Sequence, residues 1–151
     1  MEESSSSKNH ELGHTHVVFN GKAELELDQL AAIQPGMARL MAEISPRMST
    51  CWWATKYGNI ELAKYQISET AKLLKTSVVV RPKYSQDMTE FIDNHITRLK
   101  NLLTENKIEE FFKEFETMVV AINKLHEKYN KGFIVWKVSD SPPENLDLNH
   151  S

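Results

Sequence analysis

The sequence predicts an all-α protein folded as an antiparallel up-down four-helix bundle, with an extended N-terminal arm and a C-terminal strap. Three observations lead there. Four stretches carry apolar residues at three- and four-residue spacing, the period of one helix face. Short joints rich in Gly, Asn and Pro separate them, which favours antiparallel neighbours. The 151 residues are 40% hydrophobic and 26% charged, enough to bury one core and keep a polar surface.

Residues 1–16 are serine-rich and without periodicity, and are expected to form a disordered tail. The bundle domain is expected over 17–140. It opens with Val17, Val18 and Phe19 as a short extended arm before Asn20-Gly21, then an apolar lead-in at Leu25, Leu27, Leu30 and Ile33. The first long helix should start near Pro35-Gly36, with Met37, Leu40, Met41, Ile44, Met48, Cys51 and Trp52 on one face. Pro46 lacks an amide donor and should kink that helix without ending it, since the pattern resumes in phase.

Gly58-Asn59 supplies a C-terminal glycine and the next N-cap. Ile60, Ala63, Ile67, Ala71, Leu74 and Val78 form the second stripe, and Pro82 stops it. A third helix should open at Ser85 or Asp87, the latter with Glu90 in a capping box. A fourth should open at Asn106 with Glu109. Its stripe, Ile108, Phe111, Phe115, Met118, Ile122, Leu125 and onward to Tyr129, closes at Gly132. Phe133–Val138 is too short for another helix and reads as a strap over the bundle. Residues 141–151, opening with Ser141-Pro142-Pro143, read as a mobile tail.

Net charge is -3, too mild for electrostatic steering toward nucleic acid or an anionic membrane. No apolar run approaches the roughly 20 residues that span a bilayer. The opening Met-Glu-Glu-Ser-Ser-Ser-Ser has neither a basic nor an apolar region, so no secretory signal is expected and the cytoplasm is the expected compartment. The lone Cys51 forbids an intramolecular disulfide and every multi-cysteine metal motif. On an apolar face it reads as a small hydrophobe, not a nucleophile. There is no Gly-rich phosphate loop, no Ser elbow and no His-Glu-x-x-His. No catalytic set emerges, and an enzyme ranks last among the readings left open.

His126 stands out because it lies on the buried stripe of the fourth helix. Two readings stay open: a core or rim histidine bonded to a neighbour, or a ligand to a metal between helices. The Met37, Met41 and Met48 stripe reads as core filling, and Trp52 as a ring that either fills the core or walls a pocket. His10, His14 and His16 form at most a weak chelating set, and His95 reads as structural. The carboxylates of the fourth helix include no Glu-x-x-His pair, so a di-iron site is unsupported.

From about Pro35 to Pro143 the chain resembles a family of small bacterial helical-bundle c-type cytochromes related in architecture to cytochrome c′. The likeness rests on Met41 with Arg47, then Cys51-Trp52-Trp53-Ala54 and Gly58-Asn59-Ile60-Glu61-Leu62-Ala63-Lys64-Tyr65. It continues in Ile122-Asn123-Lys124-Leu125-His126, Gly132-Phe133-Ile134-Val135 and Ser141-Pro142-Pro143. In those relatives the five residues ending in His are a C-x-x-C-H haem-attachment motif. Here Ile122 and Leu125 fill both cysteine positions, which excludes covalent haem, and Met48 fills a histidine position of the family.

The resemblance implies the bundle and a pocket between the first and fourth helices. Met41, Arg47, Met48, Trp52, His126, Tyr129, Phe133 and Trp136 are its candidate lining. Non-covalent haem or another flat apolar ligand would be held through His126, the candidate metal ligand, with Arg47 meeting an anionic group. A homodimer is expected, as bundles of this kind often pair through two helices. The competing expectation is a structural or protein-interaction module with a filled core and no cofactor.

Overall fold

A computed structural model describes residues 17–19, 21 and 24–149. The tail expected over 1–16, with its three histidines, lies outside the described residues. The chain is predominantly helical, as the periodicities require. It divides into two compact units, 1–35 and 36–151.

In the first unit Val17–Phe19 (β1) pairs antiparallel with Glu24–Glu26 (β2), Val17 opposite Glu26. Helix α1 (Leu27–Ala32) follows directly. Gln29 accepts a hydrogen bond from the Glu26 amide at 3.0 Å, one half of a capping box that starts the helix. No residue of α1 is buried.

The second unit is built from long helices. Helix α2 (Met37–Lys56) begins after Gly36 and runs unbroken through Pro46. Proline has no amide hydrogen, so the Ala42 carbonyl lacks its usual donor four residues on. Helix α3 (Ile60–Val80) is capped by Asn59, whose side chain accepts from the Leu62 amide at 3.2 Å. It stops before Pro82, as expected, and a 3₁₀ turn (Pro82–Tyr84) leads on. Helix α4 (Ser85–Phe91), a π-helical turn (Ile92–Ile96) and helix α5 (Thr97–Thr104) then form one continuous rod. Helix α6 (Ile108–Lys128) is the last among the described residues. Helix α2 lies along α3, α3 along the α4–α5 rod, and α6 contacts α2, α4, the π turn and α5.

Three of the helix ends close alike. After α2, α5 and α6 one residue turns left-handed, Gly58 at φ +80°, Asn106 at +56° and Asn130 at +60°. The next amide reaches back five residues: Asn59 to Ala54 at 2.8 Å, Lys107 to Leu102 at 2.9 Å, Lys131 to His126 at 2.7 Å. This is the Schellman closure, which satisfies carbonyls the helix leaves free. It corrects two sequence expectations. Asn106 ends α5 instead of capping α6, and Asn130, not Gly132, ends α6. Glycine and asparagine both tolerate positive φ, so spacing alone did not separate them. Asp87 likewise makes no capping box, because its carboxylate is taken by Lys128 and Tyr129.

The core is centred on Phe111, Phe115, Ile67, Leu74, Leu99 and Leu103, each at most 1% exposed. Cys51 is fully enclosed, and burial pushes its thiol pKa far up, leaving it uncharged and inert. Among the described residues beyond Gly132 there is no regular structure, but the segment is tied down. The Asn123 amide bonds both the carbonyl and the amide of Trp136, at 3.0 and 2.8 Å. Trp136 Nε1 donates to Ser45 Oγ at 2.7 Å, and the Ser139 amide to Ser49 Oγ at 3.1 Å. Further on, Leu148 is buried, at 4% exposure, inside the stretch read from sequence as a tail.

Candidate functional site: an apolar pocket beside His126

One half of the second unit holds an apolar cavity of about 410 Å³, within the range that accommodates small-molecule ligands. Helix α2 contributes Met37, Met41, Ile44, Ser45 and Met48, with Ala38 and Ala42 placing only methyl groups on the wall. Helix α3 contributes Thr70 and Leu74. Tyr84, Met88, Phe91 and Ile96 come from the 3₁₀ turn and the α4–α5 rod. Helix α6 supplies Met118, Ile122, Leu125 and His126, and the segment from its C-cap onward Tyr129, Lys131, Ile134 and Trp136.

Exposure divides the cavity into a floor and a rim. Met48, Thr70, Leu74, Met88, Ile96 and Met118 are all 3% exposed or less. Ala38, Ala42, Lys131 and Ile134 reach solvent, and His126 and Tyr129 are half-buried. The π turn sits beside the floor, with Phe91 just before it and Ile96 at its end both in the wall. An extra residue in one turn widens the helix locally, and such turns recur at functional sites.

At the rim His126 Nδ1 lies 2.9 Å from the Ile134 carbonyl. A carbonyl only accepts, so Nδ1 carries the proton and donates. In the neutral ring this leaves the Nε2 lone pair uncommitted by that bond, the arrangement that prepares a histidine to ligate or accept. Nearby, Tyr129 donates its hydroxyl to Asp87, and Lys128 Nζ stands 2.8 Å from the same carboxylate. These two hydrogen bonds, Lys128 first, hold the Asp87 pKa below its ordinary value. The same contacts raise Lys128 and Tyr129. Charge is thus neutralised where α4 meets the end of α6, and the tyrosine ring is fixed against the cavity.

Of the eight residues expected from sequence, Met41, Met48, His126, Tyr129 and Trp136 line this cavity together. Three do not. Arg47 is engaged elsewhere: Nη1 donates to Gln66 at 3.0 Å and Nη2 to Glu43 at 3.3 Å. Trp52 packs edge-on against Phe112 and Phe115, with ring centres 4.6 and 5.2 Å apart, in the filled part of the core. Phe133 is 81% exposed, pointing away because Asn130 ends the helix two residues earlier than Gly132 would. Sequence reading missed the whole contribution of α3 and the α4–α5 rod, above all Thr70. A threonine between Ile67 and Leu74 on an apolar stripe was the available signal.

Among the described residues no group of three or more His, Cys, Asp or Glu side chains is placed to hold a metal ion. His95 bonds Glu114 at 3.2 Å, and Arg98 bonds the other carboxylate oxygen at 3.0 Å, a side-chain network outside the cavity. No described helix is long and apolar enough to cross a membrane. No protein-family model, curated protein or solved structure matches the chain.

Proposed function

We propose that this protein is a non-enzymatic binding module whose apolar cavity takes one small, predominantly apolar molecule, with His126 at the mouth. The observation that carries this reading is the cavity itself. A bundle meant only to pack would be expected to fill such a space, because each missing contact in a core costs stability. The wall draws on the first half of α2, the second half of α3, the beginning of the α4–α5 rod and the second half of α6. That alternation supports an antiparallel up-down four-helix arrangement with the pocket at one end.

The cytochrome resemblance suggests haem as one occupant, and the residues fit it in part. His126 offers one nitrogen donor, and Lys131 is the cationic side chain in the lining for an anionic substituent. Arg47, once expected in that role, is held by Glu43 and Gln66. Ile122 and Leu125 provide no thiol, so any haem would be held without a covalent tether. Bound there, haem would bring redox and gas-binding chemistry at its iron. The protein's own part would be to orient it through His126 and exclude water with methionine and isoleucine side chains.

Two titrations test the reading, one with hemin followed by absorbance, one with 2-methylnaphthalene followed by its fluorescence. Saturation of 2-methylnaphthalene near one equivalent is the expected result. A Soret band that saturates in the wild type and is lost in His126→Ala would make haem the natural class of ligand. A Soret band unchanged in that variant would remove His126 from the site. If neither probe saturates, the pocket reading fails and the structural-module reading takes its place.

A further inference from the structure

Eight of the described threonines sit in helices, and the hydroxyls of five of them behave alike. Thr55, Thr76, Thr89, Thr104 and Thr117 each donate to the carbonyl four residues earlier, at 2.8, 3.1, 2.7, 2.9 and 3.2 Å. This back-bond is a ready option for a helical threonine with no better partner. Thr70, on α3, has the same option at Gln66 and does not take it. The residue lines the cavity but is 1% exposed; its Oγ1 has no hydrogen-bond partner and is itself closed to solvent, so a ligand reaches it once the side chain turns about its Cα–Cβ bond.

An unpaired hydroxyl in an apolar interior costs about 1–3 kcal/mol, so such groups are rare unless something else uses them. The surroundings say what could. Thr70 is the one polar side chain among the described lining residues that are less than a tenth exposed. Its neighbours there are Met48, Leu74, Phe91, Ile96 and Met118. A water molecule needs two to four polar partners to be held, and this floor offers one side chain. An ionised ligand group would meet no counter-charge at that depth, and burying it unpaired is prohibitive. A neutral oxygen on an otherwise apolar molecule meets neither objection.

We infer that the ligand carries a neutral hydroxyl or carbonyl oxygen at the end that enters first, and that Thr70 Oγ1 is the group it meets on the cavity floor. This rests on the pocket reading above and adds the ligand's polarity and orientation. The apolar body then lies between the methionines of α2 and the residues of α6. The other end of the molecule emerges beside His126 and Lys131, where a second polar group can be solvated.

The test uses two probes that differ by one group, 2-naphthol and 2-methylnaphthalene, on the wild type, Thr70→Val and Thr70→Ser. Valine keeps the shape of threonine without the hydroxyl; serine keeps the hydroxyl. In Thr70→Val, 2-naphthol should bind about tenfold more weakly, the value of one hydrogen bond. 2-Methylnaphthalene should be unchanged or tighter, and Thr70→Ser should restore most of the preference for 2-naphthol. Equal weakening of both probes in Thr70→Val, or no change in either, would overturn the assignment of Thr70 while leaving the pocket standing. If the wild type binds neither probe, the pocket reading falls and this inference with it.

Discussion

Helix α6 presents two different interiors along its length. In its first half Phe112 and Phe115 meet Trp52 edge-on and Phe111 packs against both phenylalanines, with Phe111 and Phe115 fully buried. In its second half Met118, Ile122, Leu125 and His126 face a cavity. The apolar period is unbroken from one half to the other, so the contrast comes from the side chains and what opposes them. Rings carry large area and interlock. Methionines, two alanines of α2 and a nonhelical segment pinned by hydrogen bonds fill the space less completely. One half of the helix holds the fold together, and the other leaves room for a guest.

The largest expected effect separates the halves by stability. Phe115→Ala should cost about 3–5 kcal/mol, because a fully packed ring leaves a hole its neighbours cannot close. Leu125→Ala, in the cavity wall and already partly exposed, should cost about 1 kcal/mol, since little packing is lost. Urea denaturation of both variants checks this. Equal costs would mean that the cavity is closed in solution and the two halves are not different.

Much of this contrast was legible in the sequence, and some was not. The stripe on α2, the Asn59 cap and the stop before Pro82 follow from local rules that tertiary structure did not override. Met41, Met48, His126, Tyr129 and Trp136, grouped by helix phase and the resemblance, line one cavity. Arg47 was misplaced because a long cation can swing to Glu43 and Gln66, a choice no spacing records. Trp52 and Met48 share a helix face but lie about one turn apart, and the filled core begins within that turn. Helix α3 was read through Ala71 and Val78, whereas the buried positions include Gln66, Thr70 and Ser77. An apolar period gives no signal at a polar side chain, so Gln66, Thr70 and Ser77 do not register in the stripe although they are buried.

A smaller effect concerns how the open half is secured. The filled half relies on burial, the open half on rim contacts such as Asp87 with Lys128 and Tyr129. The Asp87 pKa is lowered in the folded protein, so the folded state favours the ionised form. That stability is fully present above the unfolded value, near about 4, and is lost as pH falls through the lower folded value. Asp87→Asn should therefore lower Tm by about 3–5 °C at pH 7. The gap to the wild type should close as pH falls below about 4, on the acid side of the ordinary carboxylate value. A gap independent of pH would show that the aspartate acts by shape alone and that the open half is not held electrostatically.

The smallest effect is opposite in sign and is the sharpest test of the open half. Elsewhere in a core, replacing a hydrogen-bonded threonine by valine destabilises, because a bond is lost. Thr55, buried and bonded to the Cys51 carbonyl in the filled half, should follow that rule, and Thr55→Val should lower Tm. Thr70 has no bond to lose. Thr70→Val removes an unsatisfied hydroxyl without changing shape, so the ligand-free protein should become more stable by about 1 kcal/mol, a rise of about 3 °C in Tm. The pair is measured in one calorimetric comparison, each variant against the wild type. Opposite signs would place an unsatisfied polar group in the open half alone, a stability deficit that a ligand can relieve. A fall in both would mean that Thr70 finds a partner in the folded chain, and the floor of the cavity would then have no free hydroxyl to offer.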